Sequence, residues 1–215
     1  HPGRIDTEGS GRAQGGGVID FVAASFNARS MKEDTAASRR RGCPGRAAAM
    51  RRQVRERGIL LMGVQEARTP EGARAVDGFL VISTGPCGQN LGCELWIDLE
   101  AVYARVGNAE FTVPPKDCVV VHSDPRLLLV RITAPRLRCT AVVAHAPHSG
   151  RPLEERRTWW KALARALQPH PDLLLMIDAN GRLGTVVSEA VGPGGYAQDE
   201  DSNGSLFHHA LQQLQ

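Results

Sequence analysis

Four runs of apolar residues along the chain each end in a polar residue that can bind a metal, a phosphate or a proton. The clearest is 173–177, which leads directly into Asp178-Ala179-Asn180-Gly181. An apolar run without polar alternation is typical of a strand buried on both faces. The other three runs and the residues that follow them are 18–26 with Asn27, 59–64 with Gln65-Glu66, and 139–144 with His145. Because α/β sheets place ligands at strand ends, the repetition predicts a functional site at one sheet edge.

Elsewhere the pattern predicts helices and antiparallel strands. Three helices are predicted, over 46–57, 153–167 and 205–214. The first stops at Gly58, a residue suited to capping a helix, and the second is ended by Pro169 and Pro171. Shorter strands are predicted over 79–84, 92–97, 117–122, 127–133 and 137–145, the last two as a hairpin. Hairpins combined with crossover helices indicate an α/β sandwich with mixed sheets.

Composition limits the domain organisation. At 215 residues and 42% hydrophobic, the chain has enough apolar surface for one sizeable core, which we assign to residues 18–215. Residues 1–17 are rich in glycine and polar residues, and they predict a flexible leader. The polar and basic stretch 31–44 predicts a loop. The chain begins at His1 without an initiator methionine, so we expect it to be a piece of a longer protein.

Charge is spread unevenly. The net charge is only +3, yet residues 39–57 hold eight arginines and a single acid, Glu56. Such a cluster suits an anionic backbone, because arginine binds phosphate through two parallel hydrogen bonds. An equally good reading is a solvated helix face. Five cysteines without a Cys-x-x-Cys pair indicate reduced thiols in an intracellular protein, and no apolar run is long enough for a membrane span.

Taken in order, the four strand ends resemble those of the endonuclease/exonuclease/phosphatase superfamily, most closely the endonuclease domain of non-LTR retrotransposons. The residues that carry the resemblance are Phe26-Asn27-Ala28-Arg29-Ser30, Gln65-Glu66, His145-Ala146-Pro147-His148, Asp178-Ala179-Asn180 and the following Gly181-Arg182-Leu183-Gly184. It covers residues 18–214 and implies a mixed-sheet four-layer α/β sandwich of the DNase I type. It further implies a DNA-nicking endonuclease that belongs to a polyprotein with a reverse transcriptase and acts in the nucleus.

The chemistry of phosphodiester cleavage gives these residue types roles. A hard cation such as Mg²⁺, or Mn²⁺ in its place, prefers oxygen ligands, so Glu66 is the expected metal ligand with Asn27 beside it. Asp178 would orient or deprotonate the attacking water, and Asn180 would donate its amide to that water or to a phosphate oxygen. Bland alternatives stay open at each position: a solvated strand end for Glu66, a cap for Asn27 and ordinary turn chemistry for Asp-x-Asn-Gly.

Further candidates surround this set. His145 stands where the family has a tyrosine; its imidazole can donate to phosphate and titrate near neutrality, but it cannot supply a phenol. His148 falls where the family has a polar phosphate contact, and a structural histidine in a proline turn is the alternative for both. The predicted phosphate or nucleic-acid contacts are His148, Arg29, Arg39, Arg40, Arg41 and Arg182.

The chain ends at Gln215, before the family's late Ser-Asp-His motif and a further late aspartate. We therefore expect a sandwich that is incomplete at its C-terminus, with marginal stability and an exposed apolar edge. Three functions follow: a Mg²⁺-dependent endonuclease acting on DNA, a hydrolase of the same fold acting on RNA or phosphoinositide, or a catalytically dead remnant that binds nucleic acid.

Overall fold

The computed structural model describes residues 19–31, 45–87, 91–185, 188–192 and 199–214; the predicted leader and Arg39, Arg40 and Arg41 lie outside these ranges. The strands are β1 (Val22–Asn27), β2 (Ile59–Gln65), β3 (Gly72–Val76), β4 (Phe79–Ser83), β5 (Glu94–Asp98), β6 (Ala104–Val106), β7 (Ala109–Phe111), β8 (Cys118–Asp124), β9 (Leu127–Ala134), β10 (Leu137–His145) and β11 (Leu173–Asp178). The helices are α1 (Arg46–Glu56), α2 (Leu153–Leu167) and α3 (Ser202–Gln212).

Two mixed sheets form the framework of the described residues. Sheet I has the strand order β1-β2-β5-β4-β3, and sheet II has the order β11-β10-β9-β8. In each sheet one pair is parallel, β1 with β2 and β10 with β11, and the remaining pairs are antiparallel. The mixed α/β class predicted from the sequence is therefore confirmed.

Neighbouring residues on the central strands face different layers. In β2, Leu61 lies in the apolar cluster between the two sheets, whereas Met62 lies in the cluster under α1. In β10, Val143 faces sheet I and Val142 packs toward Trp160 of α2. This alternation follows from the two-residue period of a strand. It arranges the chain as helix, sheet, sheet and helices, and each fully buried aliphatic side chain adds about 1.5–3 kcal/mol to stability.

The sheets come closest at Gly63 of β2. A Cβ built on Gly63 would lie 2.6 Å from Cβ of Met176 and 3.3 Å from Cγ2 of Val143. Real Cβ atoms do not approach this closely, so a glycine at position 63 lets β2 pack directly on β10 and β11. The polar ends of all three strands are thereby brought to one rim of the sandwich.

Several predicted bounds and one predicted environment need correction. The first strand begins at Val22 rather than residue 18, and the last helix begins at Ser202 rather than 205. Strand β11 packs on both faces, with Leu174 against the cluster between the sheets and Leu175 against the cluster under α2. Its side chains other than Met176 are only partly buried, because β11 pairs with β10 alone among the described strands. Strand β1 lies at one edge of sheet I. Its Val22 and Phe26 side chains are 37% and 36% exposed, as expected of an apolar edge.

Strands β3, β6 and β7 were not predicted. Each belongs to a hairpin with a two-residue turn, Asp77-Gly78 before β4 and Gly107-Asn108 before β7. Both turns are standard hairpin signals, so the chain does contain the information. None of the described helices has the length and apolar character that a membrane crossing requires.

Candidate active site

Parallel pairing aligns the strand ends that carry the predicted site. Asn27 pairs with Gln65 at the ends of β1 and β2, and His145 pairs with Asp178 at the ends of β10 and β11. Ala28 continues the first pairing, with its N–H donating to the Gln65 carbonyl at 2.9 Å. The four motifs therefore meet at one rim.

One amide joins the two predicted carboxylates. Nδ2 of Asn27 donates to Oδ2 of Asp178 at 2.6 Å and to Oε1 of Glu66 at 3.1 Å. The Asn27 Oδ1 atom accepts from the backbone N–H of Arg29 at 3.1 Å, which fixes the orientation of the amide. Asn27 and Asp178, which this amide joins directly, are 151 positions apart in the chain.

Glu66 presents its two oxygens to different partners. Oε2 accepts from Nη2 of Arg68 at 3.0 Å, while Oε1 faces Asn27 and lies 3.9 Å from Nε2 of His145. The side chain is 19% exposed, so it is neither a core residue nor a solvated strand end. This position favours a role in the site over the bland alternative.

The backbone around these groups is strained. Four non-glycine residues at the rim adopt left-handed conformations: Arg29 (φ 57°), Glu66 (φ 54°), Arg68 (φ 59°) and Asn180 (φ 48°). Such conformations cost an L-residue of order 1–3 kcal/mol, and they cluster at functional sites because the surrounding fold holds them. Here they turn the chain sharply at the strand ends and direct the side chains of Asn27 and Glu66 to a common point.

His145 is buried and held by its backbone. Its N–H donates to the Arg126 carbonyl at 2.9 Å, and its own carbonyl accepts from Arg126 Nη1 at 3.1 Å. Burial lowers the pKa of His145 below its ordinary value; Asp178 and Glu66 oppose this shift, and Arg126 reinforces it. The imidazole is therefore neutral at neutral pH. Its Nδ1 is buried without a hydrogen-bond partner among the described residues.

The Asp178-Ala-Asn180 turn is closed by its own polar groups. The Asn180 N–H donates to Oδ1 of Asp178 at 2.9 Å, and the Asn180 Nδ2 donates to the Ala146 carbonyl at 2.8 Å. Asp178 is therefore held on both oxygens, by Asn27 on one and by the turn on the other. One N–H of the Asn180 amide is committed to the segment that follows His145.

The remaining candidates lie farther out. His148 is exposed, and its Nδ1 accepts from the Gly150 N–H at 3.1 Å. Arg29 is exposed beside Asn27. Arg182 lies 3.7 Å, by its Nε, from Oδ2 of Asp201. The predicted contacts Arg39, Arg40 and Arg41 fall outside the described residues, as does most of the predicted loop 31–44.

An open cleft of about 550 Å³ runs along the rim between the ends of β1 and β11. Asn27, Asp178, Asn180 and Arg182 line its polar side, and Phe26 lies on its apolar side. Polar groups at one wall and an aromatic ring at another suit a ligand with both a charged backbone and planar apolar parts.

Sequence reasoning assigned no role to two buried polar residues. Gln65 is 1% exposed, and its Nε2 donates to Ser25 Oγ at 3.0 Å and to the Met176 carbonyl at 3.1 Å, linking the two sheets below the site. Asn203 is fully buried behind Asn180. Gln65 stands inside the Gln-Glu motif, and Asn203 belongs to a second Asp-x-Asn-Gly string, so both signals were present in the chain.

The arginines of α1 are paired with acids. Arg51 donates to Asp77 through Nε and Nη2 at 3.0 and 2.9 Å, and Arg55 donates to Asp98 through Nε and Nη2, both at 3.2 Å. Arg51 is only 8% exposed and lies over the Trp96 ring. Arg51 is therefore buried and structural, which corrects the solvated-face reading for that residue, whereas the Arg55 side chain is paired with Asp98 and still 41% exposed.

The donors at the rim fit a hard divalent cation. Glu66 and Asp178 offer carboxylate oxygens, and Mg²⁺ binds through one or two carboxylates while keeping several waters. Asn27 faces both carboxylates through Nδ2, and its Oδ1 accepts from the Arg29 N–H. Among the described residues no three His, Cys, Asp or Glu side chains form a group that would hold a metal.

No protein-family model and no curated protein matches the chain. Among solved structures, the endonuclease domain of TRAS1, a telomere-specific non-LTR retrotransposon, aligns with 86% of this chain and 68% of its own at 16% identity, with a TM-score of 0.48. The AP endonuclease LMAP from Leishmania major aligns with 79% of this chain and 61% of its own at 14% identity, with a TM-score of 0.52. The chain therefore has the mixed α/β fold of DNase I-like endonucleases, the fold of the endonuclease/exonuclease/phosphatase superfamily.

Proposed function

We propose that this chain is a divalent-metal-dependent phosphodiesterase that nicks DNA. The observation that carries the proposal is the Asn27 amide, which joins the carboxylates of Glu66 and Asp178 at the rim. Two carboxylates this close repel each other, and a bound cation would relieve the repulsion. The fold shared with an AP endonuclease supports the same reaction class.

Glu66 would hold Mg²⁺, with Mn²⁺ as a substitute and with Asn27 beside the ion. A bound ion supplies charge neutralisation at the phosphate and stabilises the leaving oxygen.

Asp178 is the residue that orients and deprotonates the attacking water. Its two oxygens are held by Asn27 and by the Asn180 N–H, so the carboxylate keeps one orientation toward the cleft. A positioned base of this kind contributes about 10²–10⁴ in rate. Asn180 adds the remaining N–H of its amide as a donor to a phosphate oxygen.

His145 donates a hydrogen bond to the scissile phosphate from Nε2. Because its imidazole is neutral, only one ring nitrogen carries a proton, and donation from Nε2 leaves Nδ1 as an acceptor. His148, Arg29, Arg182 and Arg39–Arg41 contact the nucleic-acid backbone on either side.

The substrate follows from the shape and charge of the rim. A cleft with polar groups along one wall suits a long polyanion, and an exposed Phe26 ring suits stacking on a base. We propose DNA as the substrate and a retroelement polyprotein, active in the nucleus, as the source. In this proposal the two sheets and their helices form the first part of a four-layer sandwich.

A nicking assay on supercoiled plasmid tests the proposal. Purified chain is incubated with Mg²⁺, with Mn²⁺ or with EDTA, beside Glu66→Gln and Asp178→Asn. We expect nicking that requires the metal and is abolished by both substitutions. Parallel incubations with an RNA oligonucleotide and a phosphoinositide test the substrate. Cleavage of these but not of plasmid would overturn the DNA assignment, and plasmid binding without nicking would show a catalytically dead nucleic-acid-binding remnant.

A further inference from the structure

The chain contains the string Asp-x-Asn-Gly twice, at 178–181 after β11 and at 201–204 at the start of α3. The two copies use the same local bond. Oδ1 of each aspartate accepts from the backbone N–H two residues later, at 2.9 Å in the first copy and 3.1 Å in the second. Both strings therefore form the compact turn that Asp favours.

The two turns are in backbone contact. A Cβ on Gly181 would lie 2.6 Å from the Gly204 nitrogen, and a Cβ on Gly204 would lie 1.7 Å from the Arg182 carbonyl oxygen. No residue other than glycine fits at either position without displacing the backbone. The start of α3 is therefore built to lie directly against the turn that carries Asp178 and Asn180.

Asn203 joins this contact to a second part of the site. Its Nδ2 donates to the Asn180 carbonyl at 2.9 Å and to the Pro147 carbonyl at 2.9 Å. Its Oδ1 accepts from Nη1 of Arg156 at 2.8 Å. The side chain is completely buried, so every one of these bonds is shielded from water.

Arg156 determines which way the Asn203 amide faces. The guanidinium is itself nearly buried, and it is held by Ser202 Oγ at 2.9 Å and by the Arg151 carbonyl at 3.2 Å. A reversed amide would direct its oxygen at two carbonyl oxygens and its NH₂ at a cation. The observed orientation is therefore the only one in which all partners are satisfied.

We propose that Asn203 is a positioning residue for the nuclease reaction, an inference that rests on the proposed function. It clamps the Asn180 turn to the Pro147 turn. Asp178 and His145 are the last residues of their strands and directly precede these two turns. The clamp therefore keeps both side chains directed at one phosphate. Asn203 acts through Asn180 and Pro147 and touches neither substrate nor metal.

The sharpest test is Asn203→Asp. The substitution keeps the size of the side chain and the acceptor for Arg156, but it replaces the two N–H donors by an oxygen that repels both carbonyls. We expect kcat for nicking to fall about 100-fold, the loss that a displacement of about 1 Å causes, with KM for DNA little changed. Asn108→Asp, the same change on an exposed hairpin turn, is the matched control and should nick like the original chain.

Hydrogen exchange supplies a readout that does not depend on nicking. Amides of residues 179–182 and 148–150 should exchange about tenfold faster or more in Asn203→Asp, because a turn held by fewer bonds opens more often. If Asn203→Asp does not fold, Asn203→Ser, which keeps one donor, should show a smaller loss of kcat and the same direction of exchange.

The outcomes separate the two proposals. Unchanged exchange and unchanged kcat in a folded Asn203→Asp protein would overturn the clamp while leaving the nuclease intact. An original chain that never nicks would overturn the proposed function, and faster exchange in Asn203→Asp would still establish the clamp. A fall in thermal stability with kcat and exchange unchanged below the transition would assign Asn203 a purely structural role and overturn the inference.

Discussion

The acids beneath α1 and the acids at the rim are satisfied in different ways. Asp98 is almost completely buried, and both of its oxygens accept from the guanidinium of Arg55. Asp77 is paired with Arg51 through two hydrogen bonds to one oxygen. Each of these two acids is paired with an arginine, and Arg55 also lies 3.4 Å from Glu100, so neither Asp77 nor Asp98 lacks a cationic partner.

At the rim, the carboxylates of Glu66 and Asp178 have fewer positively charged partners than the acids beneath α1. Glu66 has Arg68 on one oxygen only, and Asp178 is held by uncharged donors, the Asn27 amide and the Asn180 N–H. Burial keeps the nearby His145 neutral. Among the described residues no arginine pairs with Asp178, whereas Asp77 and Asp98 each have one, so the rim offers a carboxylate to a cation. Pairing completed within the chain indicates structure, and pairing left incomplete indicates a place for a ligand.

Asp178→Asn should produce the largest effect and act on activity alone. We expect nicking to fall by about 10²–10⁴-fold because the water loses its base. The free energy of unfolding should change little, because relief of the repulsion between two carboxylates offsets the hydrogen bond lost when one acceptor oxygen becomes an NH₂ group. Nicking rates together with urea unfolding check both. A large loss of stability would mean that the rim is structural, as the α1 region is.

Arg55→Ala should do the opposite: it should lower stability and leave nicking unchanged. It leaves Asp98 charged and buried without its partner, which should lower the free energy of unfolding by about 3 kcal/mol. Nicking by the folded protein should not change, because this pair lies under α1 and away from the cleft. Urea unfolding measures the first quantity and plasmid nicking the second. A stability loss below about 0.5 kcal/mol would show that the pair is as weak as a surface ion pair.

Asp201→Ala should give a smaller, pH-dependent effect. Burial raises the pKa of Asp201, but hydrogen bonds from the backbone N–H groups of Gly204 and Asn203, together with Arg182, outweigh it, and the pKa lies below its ordinary value. The folded state therefore holds the proton less tightly than the unfolded state. Loss of this helix cap should lower stability by about 1 kcal/mol at neutral pH.

The stability gap between the original chain and Asp201→Ala should be full above the unfolded-state pKa of about 4 and shrink as the pH falls through the lower folded-state pKa. Urea titrations from pH 7 to pH 3 measure it. Asp201→Asn, which keeps the cap without the charge, should show a smaller gap at neutral pH that also closes in acid, because only the original chain titrates at this position. A gap for Asp201→Ala that widened in acid would refute the assignment.

Arg52→Ala should have the smallest effect. Arg52 and Glu56 are both well exposed and 3.6 Å apart on one face of α1, and such pairs contribute about 0.3–0.5 kcal/mol. Urea unfolding in low and high salt should show a small difference that salt removes. A loss comparable to that of Arg55→Ala would erase the distinction between surface pairs and buried pairs on this helix.

The elements with strong apolar patterns were predictable. β2 and α2 begin and end where the pattern indicated, because their apolar positions repeat with a clear period and their ends carry Gly or Pro. Gly72–Val76 has only one large apolar residue, and its strand conformation comes from pairing with β4. The apolar pattern of this strand does not reveal it, and the signal in the sequence is the Asp77-Gly78 turn that joins it to β4.

The residues of the site were predictable from the sequence, but the residues that hold them in position were not. Asn27, Glu66, His145 and Asp178 were named because each follows an apolar strand. The role of Asn203 depends on contacts between distant segments, 2.8–2.9 Å long, that no local pattern contains. Arg51 and Arg55 were included in a cluster suited to an anionic backbone because the sequence does not show their acidic partners. Asp77 and Asp98 lie more than 20 positions away.

The parallel registers at the rim have a consequence for how such sequences diverge. Asn27 is level with Gln65 and His145 with Asp178, so each side chain is placed by its distance from the end of its own strand. Insertions and deletions between the strands leave that distance unchanged, whereas a one-residue insertion within a strand would turn the side chain to the opposite face. The lengths of the segments between the strands can therefore change in evolution while the rim keeps the same residues. Comparing short units of one strand and its turn will recover relationships that comparing whole chains misses.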